Sequence, residues 1–220
     1  MGDEYGLLQV PAWIDLLAIA AGALSGAAGA VRPRFDLIGV LLVAILMGLG
    51  GGIIRDVLLG LRPVAVTNQS YLITAVAAGL GSMLLLTVMT RWVQLFSLFD
   101  ALALALFTIV GVEKAVLYGA PVAGAVFIGV SAAVGGGVFR DIISGQPVEI
   151  VRRGSWNAAA ALVGAVLFVA LRTLPLPVAA AEATAFAVIV GVRYCSLHFG
   201  WQTAEAGDLL AKVTRGRITP

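Results

Sequence analysis

The chain is poor in groups that ionise and poorer still in metal ligands. Of its 220 residues only 12% are Asp, Glu, Lys or Arg, and it has a single histidine, His198, and a single cysteine, Cys195. One cysteine excludes an intrachain disulfide. The histidine lies past the last apolar run with no second histidine or acid at ligand spacing, so it reads as an ordinary interfacial residue and no metal is expected. No Walker loop, HExxH helix or nucleophile elbow occurs, which argues against an intramembrane enzyme and against a bound cofactor. The formal charge is only +2 with scattered bases, so no nucleic-acid surface is implied. There is no soluble domain and no low-complexity linker. The opening MGDEYG carries two acids and no base, unlike the basic region of a cleaved signal peptide, so the first apolar span is expected to persist.

What the chain has instead is apolar length. It is 60% hydrophobic, with a mean hydropathy of +1.03, which is the composition of an all-α integral membrane protein. Breaking the apolar runs at charges, prolines and aromatics predicts seven spans of about 20 residues, each long enough to cross a hydrocarbon core of about 30 Å. They fall at 12–31, 36–58, 70–90, 95–116, 121–144, 155–173 and 177–197. Trp13, Trp92, Trp156 and Trp201 all lie at predicted span ends, where amphipathic rings prefer the headgroup region. On alternate sides of seven spans, one side takes Arg32, Arg34, Arg91, Arg140, Arg152, Arg153, Arg193, Lys212, Arg215 and Arg217, and the other only Arg55, Arg62, Lys114 and Arg172. The excess of bases places the C-terminus in the cytoplasm and the N-terminus outside, with the polar stretch 201–220 as a cytoplasmic tail.

Two copies of Gly-Gly-Gly-x-x-Arg-Asp stand inside these spans, GGGIIRD at 50–56 and GGGVFRD at 135–141. The offset of 85 residues also carries Asp15 onto Asp100, Gly26 onto Gly111 and Gly60 onto Gly145. Residues 1–94 and 95–175 therefore read as a duplicated three-span unit, with a seventh span at 176–200. An odd number of spans per unit makes the second copy enter the membrane from the opposite face, so the expected architecture is a 3+3+1 inverted repeat.

Glycine costs about 1 kcal/mol relative to alanine inside a helix, and a mid-membrane arginine about 2.5 to 3.5 kcal/mol, so neither is kept there for stability. The triplets Gly50, Gly51, Gly52 and Gly135, Gly136, Gly137 are expected to let spans 2 and 5 kink or unwind and to free carbonyls at the midplane. Arg55, Asp56, Arg140 and Asp141 would flank that constriction from both sides. Adjacent helix residues do not face each other, so a salt bridge across the repeats, Arg55 with Asp141 or Arg140 with Asp56, is the natural pairing to test. Close helix contact is the competing use of the glycines, since Gly22-x-x-x-Gly26 and Gly48-x-x-x-Gly52 fit it too. Lys114, whose repeat counterpart is Gly29, is either a snorkelling lysine or a positive gate on the outer side. Asp15 and Asp100 read as carboxylates capping helix starts. Ser25, Thr108 and Ser131 would line a watery path or bond a carbonyl one turn back.

This order of features resembles the prokaryotic branch of the trimeric intracellular cation (TRIC) channel family over nearly the whole chain. The likeness rests on DLIGVLLVAILMGLGGGIIRDVLLG at 36–60, VEKAVLYG at 112–119, GVSAAVGGGVFRDIISG at 129–145 and RYCSLHFGW at 193–201. The resemblance implies a homotrimer with an hourglass pore in each subunit, spans 2 and 5 kinked at their triplets, and conduction of potassium or sodium. Lys114 takes the place of a lysine that in animal relatives lies near the pore and a bound phosphoinositide; here only Glu113 stands beside it. The expectation is thus a potassium-permeable cation channel of a bacterial inner membrane, with membrane lipids and its own copies as partners. The alternatives are a secondary transporter for glycine or a similar small zwitterion, held at a helix N-terminus or an arginine, and a scaffold whose glycines serve packing.

Overall fold

The computed structural model describes residues 11–30, 35–91, 93–151 and 156–201. Arg32, Arg34, Arg152, Arg153 and the tail from 202 onward, which carry much of the predicted charge asymmetry, lie outside them, as does the span-end Trp92. The described residues form eight α-helices and no strand: α1 Ala12–Ala30, α2 Leu37–Leu58, α3 Val64–Thr67, α4 Gln69–Arg91, α5 Val93–Leu117, α6 Val122–Ile143, α7 Asn157–Arg172 and α8 Val178–His198, with a 3-10 turn at Glu149–Val151 before α7. The seven predicted spans appear as α1, α2, α4, α5, α6, α7 and α8, with ends displaced by a few residues at most. The four-residue α3 is additional.

Helices α1, α2, α5, α6 and α8 are long and apolar enough to cross a membrane, whereas α7 and the apolar part of α4, Gln69–Leu84, are shorter. The polarity is inverted relative to a soluble domain. Leu84 is 84% exposed, while Arg55 and Asp56 are each 1% exposed. Apolar side chains face outward because lipid is as apolar as they are, and the ions turn inward to find partners.

Local chemistry sets the helix ends. Asp36 accepts the Gly39 amide at 2.8 Å and starts α2. Gly60 and Gly145, with φ of 69° and 61°, end α2 and α6 in the left-handed conformation that glycine adopts without strain. The turns match hydrogen bond for hydrogen bond, the Leu61 amide donating to the Asp56 carbonyl and the Gln146 amide to the Asp141 carbonyl, both at 2.8 Å.

The centre is a four-helix core of α1, α2, α5 and α6. α4 packs on α1 and α2, while α7 and α8 pack on each other and against α5 and α6. Small residues let the backbones approach. A Cβ at Gly22 would lie 3.2 Å from the Gly48 Cα, and one at Gly111 would lie 2.8 Å from the Gly129 Cα. The pairs Met47 with Gly136 and Gly51 with Ala132 run in opposite chain directions, so α2 and α6 cross antiparallel at their glycine triplets.

Two charged clusters at opposite ends of a glycine crossing

The triplets do not unwind. α2 and α6 are helical from end to end through them, which corrects the expectation of carbonyls freed by a broken ladder. They bring two intact helices into backbone contact instead. A Cβ on Gly51 would collide with the Ala132 carbonyl oxygen, and one on Gly136 with the Met47 carbonyl oxygen. Gly50 faces the Phe139 ring and Gly135 the Ile54 side chain, where a Cβ would have to displace a side chain rather than backbone. Each carbonyl oxygen lies against the opposing glycine, a close approach worth about 0.5 to 1 kcal/mol as a Cα–H···O contact that only a residue without a side chain allows. The third glycine of each triplet does something else. Sites for a Cβ on Gly52 and Gly137 meet only the guanidinium of Arg55 at 3.8 Å and of Arg140 at 4.0 Å, ordinary contact distances, so these glycines face the arginine one turn on and are not required by the helix crossing.

Arg55 lies at one end of the crossing. Its Nη1 and Nη2 donate to Asp15 Oδ1 and Oδ2 at 2.9 and 3.1 Å, a bidentate fork, and its Nε donates to Asp56 Oδ1 at 2.9 Å. Tyr71 Oη donates to Asp15 Oδ2 at 3.2 Å, and Lys114 Nζ to Asp56 Oδ1 at 2.8 Å. The second oxygen of Asp56 accepts the Val64 amide at 2.8 Å and so starts α3.

Arg140 repeats the pattern at the other end. Its Nε donates to Asp141 Oδ1 at 2.9 Å, its Nη1 lies 3.5 Å from Asp100 Oδ1, and Asp141 Oδ2 accepts the Glu149 amide at 2.9 Å. Val64 and Glu149 are 85 residues apart, so the same carboxylate opens the same turn in each copy. Glu149 Oε2 approaches Arg140 at 3.6 Å, and Arg193 Nη2 of α8 donates to Asp100 Oδ2 at 3.0 Å and to Glu149 Oε1 at 3.3 Å.

Helix geometry separates the clusters. α1 carries Asp15 at the Arg55 end and Gly29 against the Arg140 side chain, and α5 carries Asp100 at the Arg140 end and Lys114 at the Arg55 end. Fourteen residues of helix rise about 21 Å in each case.

Several expectations change accordingly. Arg55 does not pair with Asp141, nor Arg140 with Asp56, because those groups stand at opposite ends; each arginine instead reaches its own neighbouring aspartate along the helix surface. Asp15 lies in the first turn of α1 but spends its oxygens on Arg55 and Tyr71, and Asp100 lies in the third turn of α5, so neither is a cap. Among the described residues, the ion pair that does cross the copies is Lys114 with Asp56. Ser25 donates to Asp100 at 3.3 Å and belongs to the Arg140 cluster. Thr108 donates to the Leu104 carbonyl at 2.7 Å, which satisfies it within α5, and Ser131 is half-buried on α6. Tyr71, Glu149 and Arg193 went unnamed as site residues; for Arg193 the signal was an arginine inside a predicted span.

Between the clusters a crevice is lined by Gly22, Met47, Asp100, Phe107, Gly136 and Asn157, among others, with a water-accessible volume of ≈ 20 Å³. That holds about one water and no ion with its hydration shell. The buried Oδ1 of Asn157 has no hydrogen-bond partner among the described residues. The counterpart of Asn157 in the first copy is Leu72, so this polar lining belongs to one copy only.

This arrangement has counterparts among known proteins. A family described as "Glycine transporter" matches residues 12–87 and 97–173, segments whose starts differ by the same 85 residues as the motifs. A UPF0126 membrane protein of Deinococcus radiodurans is 39% identical over 163 residues, covering 73% of this chain and 76% of its own. A TRIC cation channel structure concerned with conductance superposes with a TM-score of 0.80 at 31% identity, over 90% of this chain and 97% of that one. The chain belongs to the prokaryotic TRIC channel family. A second TRIC structure, the trimeric intracellular cation channel orthologue from Rhodobacter sphaeroides, has a TM-score of 0.81 at 30% identity, over 86% of this chain and 98% of its own. In this TRIC family member the charged clusters and the crossing lie within a multi-pass, all-helical membrane protein.

Proposed function

We propose that this protein is a potassium-permeable monovalent cation channel, with a pore in each protomer of a homotrimer that passes between α2 and α6. The observation that carries this reading is the antiparallel crossing of two intact glycine-bearing helices with an ion-paired cluster at each end. Parting the helices at Gly51 and Gly136 exposes the carbonyls of Ala132 and Met47 to the path, and a cation passing there exchanges water for backbone oxygen. The aspartates of each cluster offset the arginines, so a cation entering either end meets no unbalanced positive charge. The likeness to TRIC cation channels supports conduction, and the Rhodobacter orthologue, described as trimeric, supports the homotrimer. The seven helices are read as a 3+3+1 inverted repeat in a bacterial inner membrane, N-terminus outside and C-terminus cytoplasmic.

A second reading is a carrier for glycine or a similar zwitterion, favoured by the description of the matching family. Purified protein in a planar bilayer under a potassium chloride gradient separates the two. Discrete openings that reverse near the potassium equilibrium potential support the channel; a silent bilayer, with glycine accumulating in proteoliposomes under an ion gradient, replaces it with the carrier.

A further inference from the structure

We propose that Arg193 of α8 is the latch that holds the Arg140 end of the pathway shut, the part Lys114 plays at the Arg55 end. The inference rests on the reading of the α2–α6 crossing as a transport path, and it assigns control of one end to the helix that lies outside the duplication.

Comparing the two copies isolates the role. Asp15, Arg55 and Asp56 correspond to Asp100, Arg140 and Asp141, so each end holds one arginine between two aspartates. At each end a further cation comes from elsewhere in the fold. At the Arg55 end it is Lys114, contributed by the other copy. The position that would mirror it is Gly29, which has no side chain and leaves its space to the Arg140 stem. α8 supplies the missing cation, and Arg193 is 4% exposed with one guanidinium nitrogen on Asp100 at 3.0 Å and on Glu149 at 3.3 Å.

The placement of those two acids makes Arg193 a clamp rather than a counter-ion alone. Asp100 lines the crevice beside Gly136, while Glu149 stands on the turn that follows α6. Arg193 therefore ties the α5 wall of the crevice to the exit of α6 through one guanidinium nitrogen shared between the two carboxylates. For α6 to swing from α2 at the Arg140 end, Glu149 and Asp100 have to part from Arg193 or carry α8 along. Opening of this end is thus set by Arg193 of α8 and opening of the other by Lys114 of α5, two different side chains about 21 Å apart along the fold.

The test reads access to the crevice from each face of the membrane. In full-length protein carrying Cys195→Ser and Asn157→Cys, reconstituted in vesicles of known orientation, an impermeant methanethiosulfonate reagent is applied to one side at a time. Arg193→Gln is expected to raise the modification rate about tenfold from the Arg140 side only, as a closed end becomes a populated open one. Arg193→Lys, which keeps the charge on a shorter side chain, is expected to give a smaller rise from the same side. Lys114→Gln is expected to raise access from the opposite side. Unchanged modification in folded Arg193→Gln, or in Arg193→Lys should the first variant fail to fold, overturns the latch, and so does a rise of equal size from both sides. The readout needs no current, so a one-sided rise in a protein that is silent in the bilayer rejects the channel and keeps the latch. Potassium current with unchanged access rejects the latch and keeps the channel.

Discussion

Gly51 of α2 rests on the carbonyl oxygen of Ala132 with no space for a Cβ between the helices, and Gly136 of α6 rests in the same way on Met47. The triplets are therefore unequal internally. Their first two glycines meet the opposite helix and the third faces its own arginine.

Alanine at these positions should divide accordingly. Gly51→Ala or Gly136→Ala forces the crossing apart and is expected to cost about 1 to 3 kcal/mol, the usual range for overpacking. Gly52→Ala and Gly137→Ala find nothing closer than 3.8 and 4.0 Å and are expected to leave stability unchanged or improved, by up to about 1 kcal/mol of helix propensity. Thermal unfolding in detergent gives the order, and a larger loss at Gly52 than at Gly51 would contradict the packing.

Charge exchange separates local from crossed pairing. Arg55→Asp alone leaves buried acids unpaired, at a cost of about 3 to 5 kcal/mol. Adding Asp15→Arg is expected to restore part of the loss, and adding Asp141→Arg none of it, because Asp141 belongs to the cluster at the far end. Equal rescue by both second substitutions, read from the yield of folded protein and its thermal midpoint, would contradict the placement of the two clusters.

Lys114→Gln is expected to be far milder than Arg55→Gln. Asp56 keeps the Arg55 Nε and the Val64 amide after the lysine is lost, so the carboxylate stays paired and the cost stays near that of one hydrogen bond to a charge, about 1.5 to 3 kcal/mol. The lysine is also the more accessible partner, 16% exposed against 1% for Asp56. Open probability in bilayers should change more than stability does; a variant that unfolds without any change in gating speaks for a purely structural lysine.

Asn157→Leu gives the second copy the residue found at the matching position of the first. It removes a buried acceptor without a partner and fills part of the crevice, so stability is expected to stay within about 1 kcal/mol of the parent. Flux in either assay should fall. Undiminished flux would place the path away from Asn157.

Much of the fold was legible in the chain because the bilayer restricts the choices. With no water to satisfy backbone groups, a long apolar run becomes a helix, and Gly60 and Gly145 mark where two of them end. The duplication was visible as a constant offset, and it brought Asp15 and Asp100 to notice as a pair. Their role was misread, since an aspartate near a predicted helix start looks like a cap until the arginine from the neighbouring helix is seen to reach it. Arg193 shows the same limit. It lies in a predicted span and so demanded a partner, but Asp100 is 93 residues away and Glu149 is 44.

Hydropathy was enough to give an all-helical membrane protein with ions kept inside it, and the 85-residue offset to read a repeated motif, since burial of backbone and repetition of motif are properties of the chain read along its length. Which ion meets which, and whether a glycine triplet breaks a helix or seats another against it, was decided by the tertiary arrangement. Ion pairing depends on distances of about 3 Å between groups far apart in the chain, and a missing Cβ permits bending and close contact alike until the neighbouring helix is in place.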